Sequence, residues 1–412
     1  MNITDVDDKT IKGANEHGMP LRTYTDQYIE QFTRGMHELQ IEEPDVLPRV
    51  ADNIDDIIAF IQKLLDRGYA YESDGSVYFR IKKSIGYGAL ALLDTQELKP
   101  NASLHNDQDE YEKENIGDFA LWKAYQKDDG DIFWESPFGR GRPGWHIECT
   151  VLAMKYLGEQ IDIHTGGIDL IFPHHTNEIA QAEGVTEKTF AKTWLHNAHL
   201  FVEGKKMSKS SHNFLTLEDV KEAGIHPLLL RYLLLRTHFQ HDIDFSLEQA
   251  NEARQIFNKF VLLFSELENG SSGAGYQGFK NVLDTAAREF SEALDDNLNM
   301  SNAMRVIFEL GTEINKNISK LTAEQKKAAL EEYQKFDMIL GIFMPAYELY
   351  KNAQTKKEND PEIQKLLTRR REARSDKDYA TADQLRDELL EKGVAVRDTS
   401  NTEYILDVVD WI

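Results

Sequence analysis

The strongest constraint on the fold is a change of pattern at about residue 246. Before it, short strand-like runs alternate with helical ones, which is typical of a mostly parallel α/β sheet. After it, from "SLEQANEARQIFNKFVLLFSELE" to "MILGIFMPAYELYK", the pattern is helical. A chain of 412 residues is long enough for two or three domains. We therefore predict an α/β domain over 1–246, a helical domain over 247–355 and a small α+β unit over 361–412.

Local patterns in the first part predict individual helices and strands. In "IDDIIAFIQKLLDRGYAYES", Ile57, Ile61, Leu64 and Leu65 recur at the spacing of an amphipathic helix, and Gly68 can end it. "DGSVYFRI" predicts a strand after a turn, and "QIDIHTGG" predicts a strand that runs into a glycine turn. "HLFVEGKKMS" predicts a strand followed by a tight loop at its Glu-Gly pair.

The helical part is interrupted at two places. "NGSSGAGYQG" (269–278) has the composition of a flexible loop, and the charged stretch "KNAQTKKENDPE" is predicted to link the helical domain to the final unit. That unit opens with the basic helix "IQKLLTRRREARSDKDYATADQLRDELLEKG". Two short strands, "VAVRDTS" and "EYILDVV", are predicted to follow.

Composition and charge bear on the protein's compartment and on its possible partners. The net charge of −24 does not decide whether nucleic acid is a partner, because a local basic face can bind RNA on an acidic protein. The start, "MNITDVDDKT", shows no secretory or transit peptide, and no apolar run is long enough to cross a bilayer. A single cysteine excludes an internal disulfide and fits a reducing cytosol. We expect a cytoplasmic protein without membrane contact.

The single cysteine, Cys149, is a candidate metal ligand. Pro173 in "IFPHHTNEIAQAEG" fits the first turn of a helix, which would put His174 and Glu178 at positions i and i+4 on one face. A thiolate, an imidazole and a carboxylate are all zinc ligands, and three protein ligands leave room for another donor. Each residue alone has a plainer explanation, the cysteine as an apolar filler and the His-Glu pair as a surface contact. The spacing leaves both interpretations open.

The loop "GKKMSKSSHN" (204–213) is a candidate phosphate-binding element. Lys206 and Lys209 follow a predicted strand on a glycine-led loop with three hydroxyls. Such a loop can fold over a polyphosphate, where ammonium groups offset the charge that develops during nucleotidyl transfer. A generic loop of this composition would be a solvated basic turn. The literal string Lys206-Met207-Ser208-Lys209-Ser210, however, matches a signature of class I aminoacyl-tRNA synthetases.

Further strings make the resemblance close. The chain resembles the cysteinyl-tRNA synthetase family nearly end to end, through "NITDVDDK", "DFALWK", "GRPGWHIEC", "DIHTGGIDLIFPHHTNEIAQ" and the ending "ARSDKDYATADQLRDELLEKGVAVRDT". The resemblance implies a Rossmann-like catalytic domain over 1–246 with an insertion at about 70–140, a helical tRNA-binding domain and a small anticodon-recognition unit. It implies a monomeric cysteine–tRNA ligase that activates L-cysteine with ATP and Mg²⁺ and transfers it to tRNA(Cys).

The resemblance implies roles at the amino-acid site. Cys149, His174 and Glu178 match three of the family's four ligands to one zinc ion, to which the thiolate of substrate cysteine would bind. Zinc prefers soft sulfur to a hydroxyl, so serine would be rejected at the binding step. Trp145 would form one side of the amino-acid pocket. Its plainer explanation is an aromatic core residue at the start of a helix.

The resemblance also implies a nucleotide site. Four residues match the family's adenosine-binding segment: His164, Gly166, Gly167 and Asp169. The glycines, which lack a side chain, would allow the nucleotide to approach the backbone closely. Without the resemblance, the plainer explanation of these residues is a strand-to-helix turn. Trp194 and His196 fall near the same site. Residues 206–210, Lys209 most directly, would stabilise the pyrophosphate leaving group. Catalysis would then be positioning and charge stabilisation, without a side-chain nucleophile.

The basic helix near the C-terminus is a candidate RNA surface. Arg369, Arg370, Arg371 and Arg374 match a surface that contacts tRNA phosphates in the family. A solvated helix face is the plainer explanation of such a charge run.

The chain departs from the family pattern at its start. The family's chains begin with a segment that carries the fourth zinc ligand, a cysteine, and a His-x-Gly-His-like motif for ATP phosphates, whereas the resemblance here begins at "NITDVDDK". We expect a truncated form in which Met1 is an internal methionine, with a divergent pseudo-enzyme or half of a split protein as alternatives. Loss of a leading βαβ element is expected to expose apolar sheet surface and strand edges. Thr176, His212 and Asn401 are smaller departures.

Two other functions compete with the ligase. A catalytically impaired remnant that binds only tRNA or zinc would explain the missing phosphate-binding motif. A related ligase that joins cysteine to an amino sugar shares the catalytic half but lacks the tRNA-binding tail, so the family-like C-terminus argues against it.

Overall fold

The computed structural model describes residues 1–93, 117–207, 214–398, 404–408 and 411–412. Parts of the predicted insertion and of the 204–213 loop, with Ser208, Lys209, Ser210, His212 and Asn401, lie outside these residues. The chain divides into two compact units, one formed by Met1–His37 and Ile41–His199 and the other by Glu38–Gln40 and Leu200–Ile412.

The first unit combines helices with two sheets. Its elements in chain order, with α2 reaching one residue beyond it, are α1 (Asp8–His17), α2 (Leu21–Glu38), α3 (Ile54–Asp66), β1 (Ala70–Ser73), β2 (Ser76–Phe79), β3 (Phe119–Ala124), β4 (Gly141–Pro143), α4 (Trp145–Leu157), β5 (Ile161–Gly167), α5 (Thr176–Thr186) and β6 (Ala191–Asn197).

The predicted amphipathic helix is α3. Ile57, Ile61 and Leu64 are buried as their spacing predicts, and Leu65 is half-buried. The helix ends at Asp66, and Gly68 follows with a φ of 72° and donates its N–H to the Leu65 carbonyl over 2.8 Å. Glycine adopts this left-handed conformation without steric cost, so it ends the helix here as predicted.

Chain connections decide the pairing of the strands. β1 to β4 form an antiparallel sheet in that order, and Asp74 and Gly75, both with positive φ, form the tight turn between β1 and β2. β5 and β6 pair in parallel because α5 makes the crossover between them. The expectation of a mostly parallel sheet is therefore wrong for the four-stranded sheet, whose first three strands come from the segment predicted as an insertion.

The second unit is mainly helical. Its elements are β7 (Leu200–Val202), β8 (Lys205–Lys206), α6 (Leu217–Glu222), α7 (Pro227–Leu235), β9 (Ile243–Phe245), α8 (Leu247–Asn269), α9 (Phe279–Asp295), α10 (Met300–Asn317), α11 (Ala323–Leu340), α12 (Phe343–Glu358), α13 (Pro361–Ser375), α14 (Tyr379–Glu391), β10 (Val394–Asp398) and β11 (Tyr404–Val408). The turn at Glu203 and Gly204 joins β7 to β8, and β10 pairs with β11 in antiparallel register. No helix within the described ranges is both long enough and apolar enough to span a membrane.

Two predictions for the helical part are wrong in detail. The charged stretch predicted as a linker is helical, since α12 continues to Glu358. The basic helix predicted as one element is two, because Lys377 has a φ of 60° and Asp378 caps α14 by accepting the Thr381 N–H. The predicted 269–278 loop is a loop once α8 has ended at Asn269. The N–H groups of Gly273 and Gly275 hold it in place by donating to the carbonyl groups of residues 321 and 320.

Candidate metal and nucleotide site

The three predicted metal ligands come together in the first unit. Cys149 lies on α4, Glu178 on α5, and His174 in the turn Ile171–His175 that precedes α5. Their donor atoms, a sulfur, an imidazole nitrogen and a carboxylate oxygen, all lie within 4.8 Å of one another. Metal–ligand bonds of about 2.0–2.3 Å put neighbouring atoms of a tetrahedral site about 3.5 Å apart. The group therefore has nearly the size that a zinc ion requires.

The helical residues that lead to Glu178 begin at Pro173, as predicted. Phe172 is extended (φ −136°, ψ 131°) and interrupts the turn Ile171–His175, and α5 follows from Thr176. His175 already has helical dihedral angles (φ −65°, ψ −33°), so the predicted i, i+4 relation is kept across the junction. The Nε2 atom of His174 lies 3.3 Å from Oε1 of Glu178.

Glu178 is a buried carboxylate that faces several imidazoles. Its side chain is fully buried, and its Oε2 atom has no hydrogen-bond partner among the described residues. Burial alone would raise the pKa of Glu178, but the facing rings of His174, His164 and His175 outweigh burial and lower it. A buried carboxylate oxygen without a partner is unfavourable, and a cation would satisfy it. The residues present therefore fit a metal ion.

The thiol of Cys149 is protonated in the protein without metal. Burial raises the pKa of Cys149 well above its usual range, and the carboxylates of Glu178 and Glu148 add to the shift. Its Sγ lies 3.6 Å from Oδ1 of Asn2, to which the thiol donates. A metal binds the thiolate, so binding would release the thiol proton.

His146 is a neighbour of the site that the sequence analysis missed. Its Nδ1 lies 3.0 Å from Nδ1 of His174, and both rings are buried. When the proton of this hydrogen bond is on His174, the Nε2 atom that faces Glu178 keeps its lone pair. The available signal was helical spacing, because His146 precedes Cys149 by three residues on α4.

His175 was also missed. Its Nε2 lies 3.9 Å from Oε1 of Glu178, and its Nδ1 lies 2.8 Å from Nε2 of His196. Burial lowers the pKa of His175 to about 3 and also lowers that of His196, so both rings are neutral at pH 7. The donor atoms of His175, His164 and Glu178 likewise lie within 4.8 Å of one another. The i, i+3 spacing of His175 and Glu178 could have revealed it.

Two predicted adenosine-binding residues contact this cluster. His164, on β5, places its Nε2 3.3 Å from Oε1 of Glu178. A Cβ atom on Gly166 would lie 2.6 Å from Cε1 of His175, so glycine is required there to accommodate the histidine ring. Asp169, by contrast, is exposed in the short 3-10 turn after β5.

Trp145 borders the predicted metal ligands. It begins α4, is half-buried, and its ring centroid lies 4.3 Å from that of His174. Gly144, which precedes this helix, allows close approach to β3, because a Cβ atom there would lie 2.2 Å from the Ala120 carbonyl oxygen. Trp194, predicted near the nucleotide, lies edge-on to His164 with ring centroids 4.7 Å apart.

The predicted phosphate-binding loop is described only at its start. Lys206 pairs through its backbone with Phe201 in the β7–β8 hairpin, and the Met207 N–H donates to the Leu200 carbonyl over 3.2 Å. Ser208 and Lys209 follow outside the described residues.

The basic helix α13 does not present all four arginines to solvent. Arg369, Arg371 and Arg374 are exposed, whereas Arg370 is only 4% exposed. The reason is helical periodicity, since Arg370 shares the buried face of α13 with Ile363, Leu366 and Leu367. The prediction that Arg370 contacts tRNA phosphates is therefore wrong on geometry. It stays a prediction for the other three.

Comparisons with known proteins agree with this arrangement. Residues 1–255 match the family model of the class I (C) tRNA synthetase catalytic domain, 289–344 match the DALR domain, and 357–405 match the cysteinyl-tRNA ligase anticodon binding domain. The fold and the catalytic-domain match define a class I aminoacyl-tRNA synthetase with a helical anticodon-side region. Relatives that are about 40% identical over nearly the whole chain are cysteine–tRNA ligases, and the chain belongs to the cysteine–tRNA ligase family.

Two of those relatives are the cysteine–tRNA ligases of Brachyspira hyodysenteriae and of a Geobacillus species (strain WCH70). They are 40% identical over 402 residues and 42% identical over 410 residues, and each match covers 97% of this chain and 84% of the relative. Among solved structures, a putative arginyl-tRNA synthetase from Campylobacter jejuni is similar with a TM-score of 0.47 and 13% identity, over 80% of this chain and 67% of that one. The family assignment rests on the sequence relatives.

Proposed function

We propose that this protein activates L-cysteine with ATP to cysteinyl-adenylate and transfers the cysteinyl group to tRNA(Cys), and that a zinc ion selects the substrate thiol. The observation that carries the proposal is the donor set of half-buried Cys149 with buried His174 and Glu178, whose ligand atoms lie within 4.8 Å of one another. The names of the relatives, which are cysteine–tRNA ligases, support the same reaction.

The donor set accounts for amino-acid selectivity. Zinc held there would accept the substrate thiolate as a further ligand, a role in which the serine hydroxyl is a poor substitute. The ionised Glu178 supplies negative charge and the buried His174 a nitrogen lone pair. Trp145, 4.3 Å from His174 between ring centroids, would close one side of the pocket and limit access of water.

Activation needs positioning rather than a protein nucleophile. The substrate carboxylate attacks the α-phosphorus of ATP, an O–P bond forms, and pyrophosphate leaves with the electron pair of the broken P–O bond. His164, Gly166 and Asp169 would bind the adenosine. Residues 206–209 (Lys206, Met207, Ser208 and Lys209) would hold the phosphates, where the two ammonium groups offset charge on the leaving pyrophosphate.

Transfer requires the tRNA to be bound as well. The exposed Arg369, Arg371 and Arg374 on α13 supply positive charge within the segment that matches an anticodon binding domain. Such side chains contact phosphates and fix orientation without reading bases.

The test is cysteine-dependent ATP–pyrophosphate exchange, with serine as the competing substrate and zinc measured on the same sample. We expect exchange with cysteine, none with serine, and about one zinc per chain. Lys209→Gln should lower the exchange rate strongly, whereas Lys205→Gln, an exposed neighbour, should not. A zinc-loaded protein without exchange would overturn the ligase proposal and leave a zinc-binding remnant.

A further inference from the structure

We propose that Asn2 is a positioning residue for the metal ligand Cys149, and that its carboxamide donates an N–H to the thiolate when a metal is bound. The inference rests on the metal site proposed above. The Oδ1 atom of Asn2 lies 3.6 Å from Sγ of Cys149, although 147 positions separate the two residues. This is hydrogen-bond distance for sulfur, so the carboxamide accepts a hydrogen bond from the thiol.

The backbone holds Asn2 in this position. The Ile3 N–H donates to the Pro48 carbonyl over 2.8 Å, and the Val50 N–H donates to the Ile3 carbonyl over 3.2 Å. Together these bonds form a parallel bridge between Ile3 and Arg49. The segment that carries Asn2 is therefore paired with residues 48–50 rather than frayed.

A buried ion pair fixes the same segment three residues further on. Asp5 is 2% exposed and accepts hydrogen bonds from Nε of Arg49 over 2.7 Å and from the Ala51 N–H over 3.0 Å. Charge-assisted bonds of this kind are shorter and stronger than neutral ones. Asn2 thus projects from a segment that is anchored to residues 48–51 through both its backbone and the side chain of Asp5, which is the rigidity that a positioning residue needs.

A carboxamide suits both states of the cysteine. The thiol is a donor and needs an acceptor, which Oδ1 provides. The thiolate is only an acceptor. A rotation of the carboxamide by about 180° about its Cβ–Cγ bond exchanges Oδ1 and Nδ2 and so presents an N–H to the thiolate. A leucine at this position would leave the thiolate without its donor, and an aspartate would face it with a second negative charge.

The test uses the full chain loaded with Co²⁺, whose sulfur-to-metal charge-transfer band reports on the thiolate. Without the N–H donor the sulfur gives more charge to the metal, so we expect Asn2→Leu to shift this band to lower energy and to weaken Co²⁺ binding about 10–100-fold in chelator competition. Asn2→Asp should weaken binding further, and Asn2→Gln, which keeps the carboxamide, should restore part of both readouts. The matched control is Asn15→Leu, because the Asn15 amide donates to the Asp128 carbonyl instead. It should match the unmodified protein.

The outcomes separate the inference from the site on which it rests. An unmodified protein that binds no Co²⁺ overturns the metal site and the role of Asn2 with it. Normal Co²⁺ binding, with the same affinity and band in Asn2→Leu, overturns the role of Asn2 alone. Circular dichroism checks that each variant folds. If Asn2→Leu does not fold, Asn2→Asp, which is nearly isosteric, decides the matter, and unchanged binding in that variant is the overturning result.

Discussion

The Nε2 atom of His164 lies 3.3 Å from Oε1 of Glu178, and Nε2 of His174 lies at the same distance from the same oxygen. His164 belongs to the predicted adenosine-binding segment, and His174 to the predicted metal site. A single buried carboxylate therefore contacts a residue of each predicted site. Substitution of Glu178 should affect amino-acid recognition and nucleotide binding together.

Glu178→Gln should reduce bound zinc from about one ion per chain to near zero, because it replaces an anionic ligand with a neutral one. Metal content after dialysis measures this loss. Glu187→Gln is the control, since Glu187 ends the same helix in an exposed pair with Arg67 and should keep its zinc. Full zinc in the Glu178 variant would contradict the ligand assignment.

His226 should make α7 sensitive to pH. Its Nδ1 accepts the Leu228 N–H over 3.2 Å, and burial lowers the pKa of His226. The pKa in the folded state thus lies below the ordinary value of about 6.5. The stabilisation by this cap is complete above the ordinary pKa of about 6.5. It is lost, by about 1 kcal/mol, as the pH falls from there through the lower pKa of the folded state.

Amide exchange in α7 between pH 7 and pH 5 measures this effect, corrected for the intrinsic pH dependence of exchange. His226→Asn keeps a capping oxygen but does not titrate in this range. Its α7 protection should therefore stay constant. An equal loss of protection in this variant would show that His226 is not responsible.

Asp337→Ala should destabilise the junction between α11 and α12. The buried carboxylate of Asp337 accepts the N–H groups of Ile342 and Phe343 on Oδ1 and that of Met344 on Oδ2, over 2.8–3.0 Å. Burial raises the pKa of Asp337 in spite of these bonds. Losing them should cost about 1–3 kcal/mol, seen as faster amide exchange in α12. The exposed Glu331→Ala on α11 should change stability by less than about 0.5 kcal/mol.

Two adjacent arginines on α13 should behave differently. Arg370→Ala should lower the unfolding temperature, because the side chain is 4% exposed and lies on the face shared with Ile363 and Leu367. Arg369→Ala, on an exposed position, should leave that temperature unchanged and weaken tRNA binding, with a shallower dependence on salt. The opposite assignment of effects would contradict the burial pattern.

Local rules account for much of the fold and for part of the site. Helical spacing predicted α3 with its buried Ile57 and Ile61, and left-handed glycine geometry explains the end of that helix at Gly68. The same spacing predicted the contact of His174 with Glu178. The boundaries between α12 and α13 and between α13 and α14 were missed because N-caps at Asp360 and Asp378, rather than composition, decide where α13 and α14 begin.

The sequence by itself determined the family, through ordered strings such as "GRPGWHIEC" and "KMSKS", and it determined contacts between residues three or four apart on one helix. The family resemblance implied that Cys149 lies beside His174 and Glu178, and the tertiary structure shows how they meet; only the tertiary structure decided that Asn2 lies beside Cys149 and that Glu178 also contacts β5. These contacts join residues far apart in the chain. They depend on how α4, α5 and the strands pack, and periodicity within one element carries no information about which surface another element will cover.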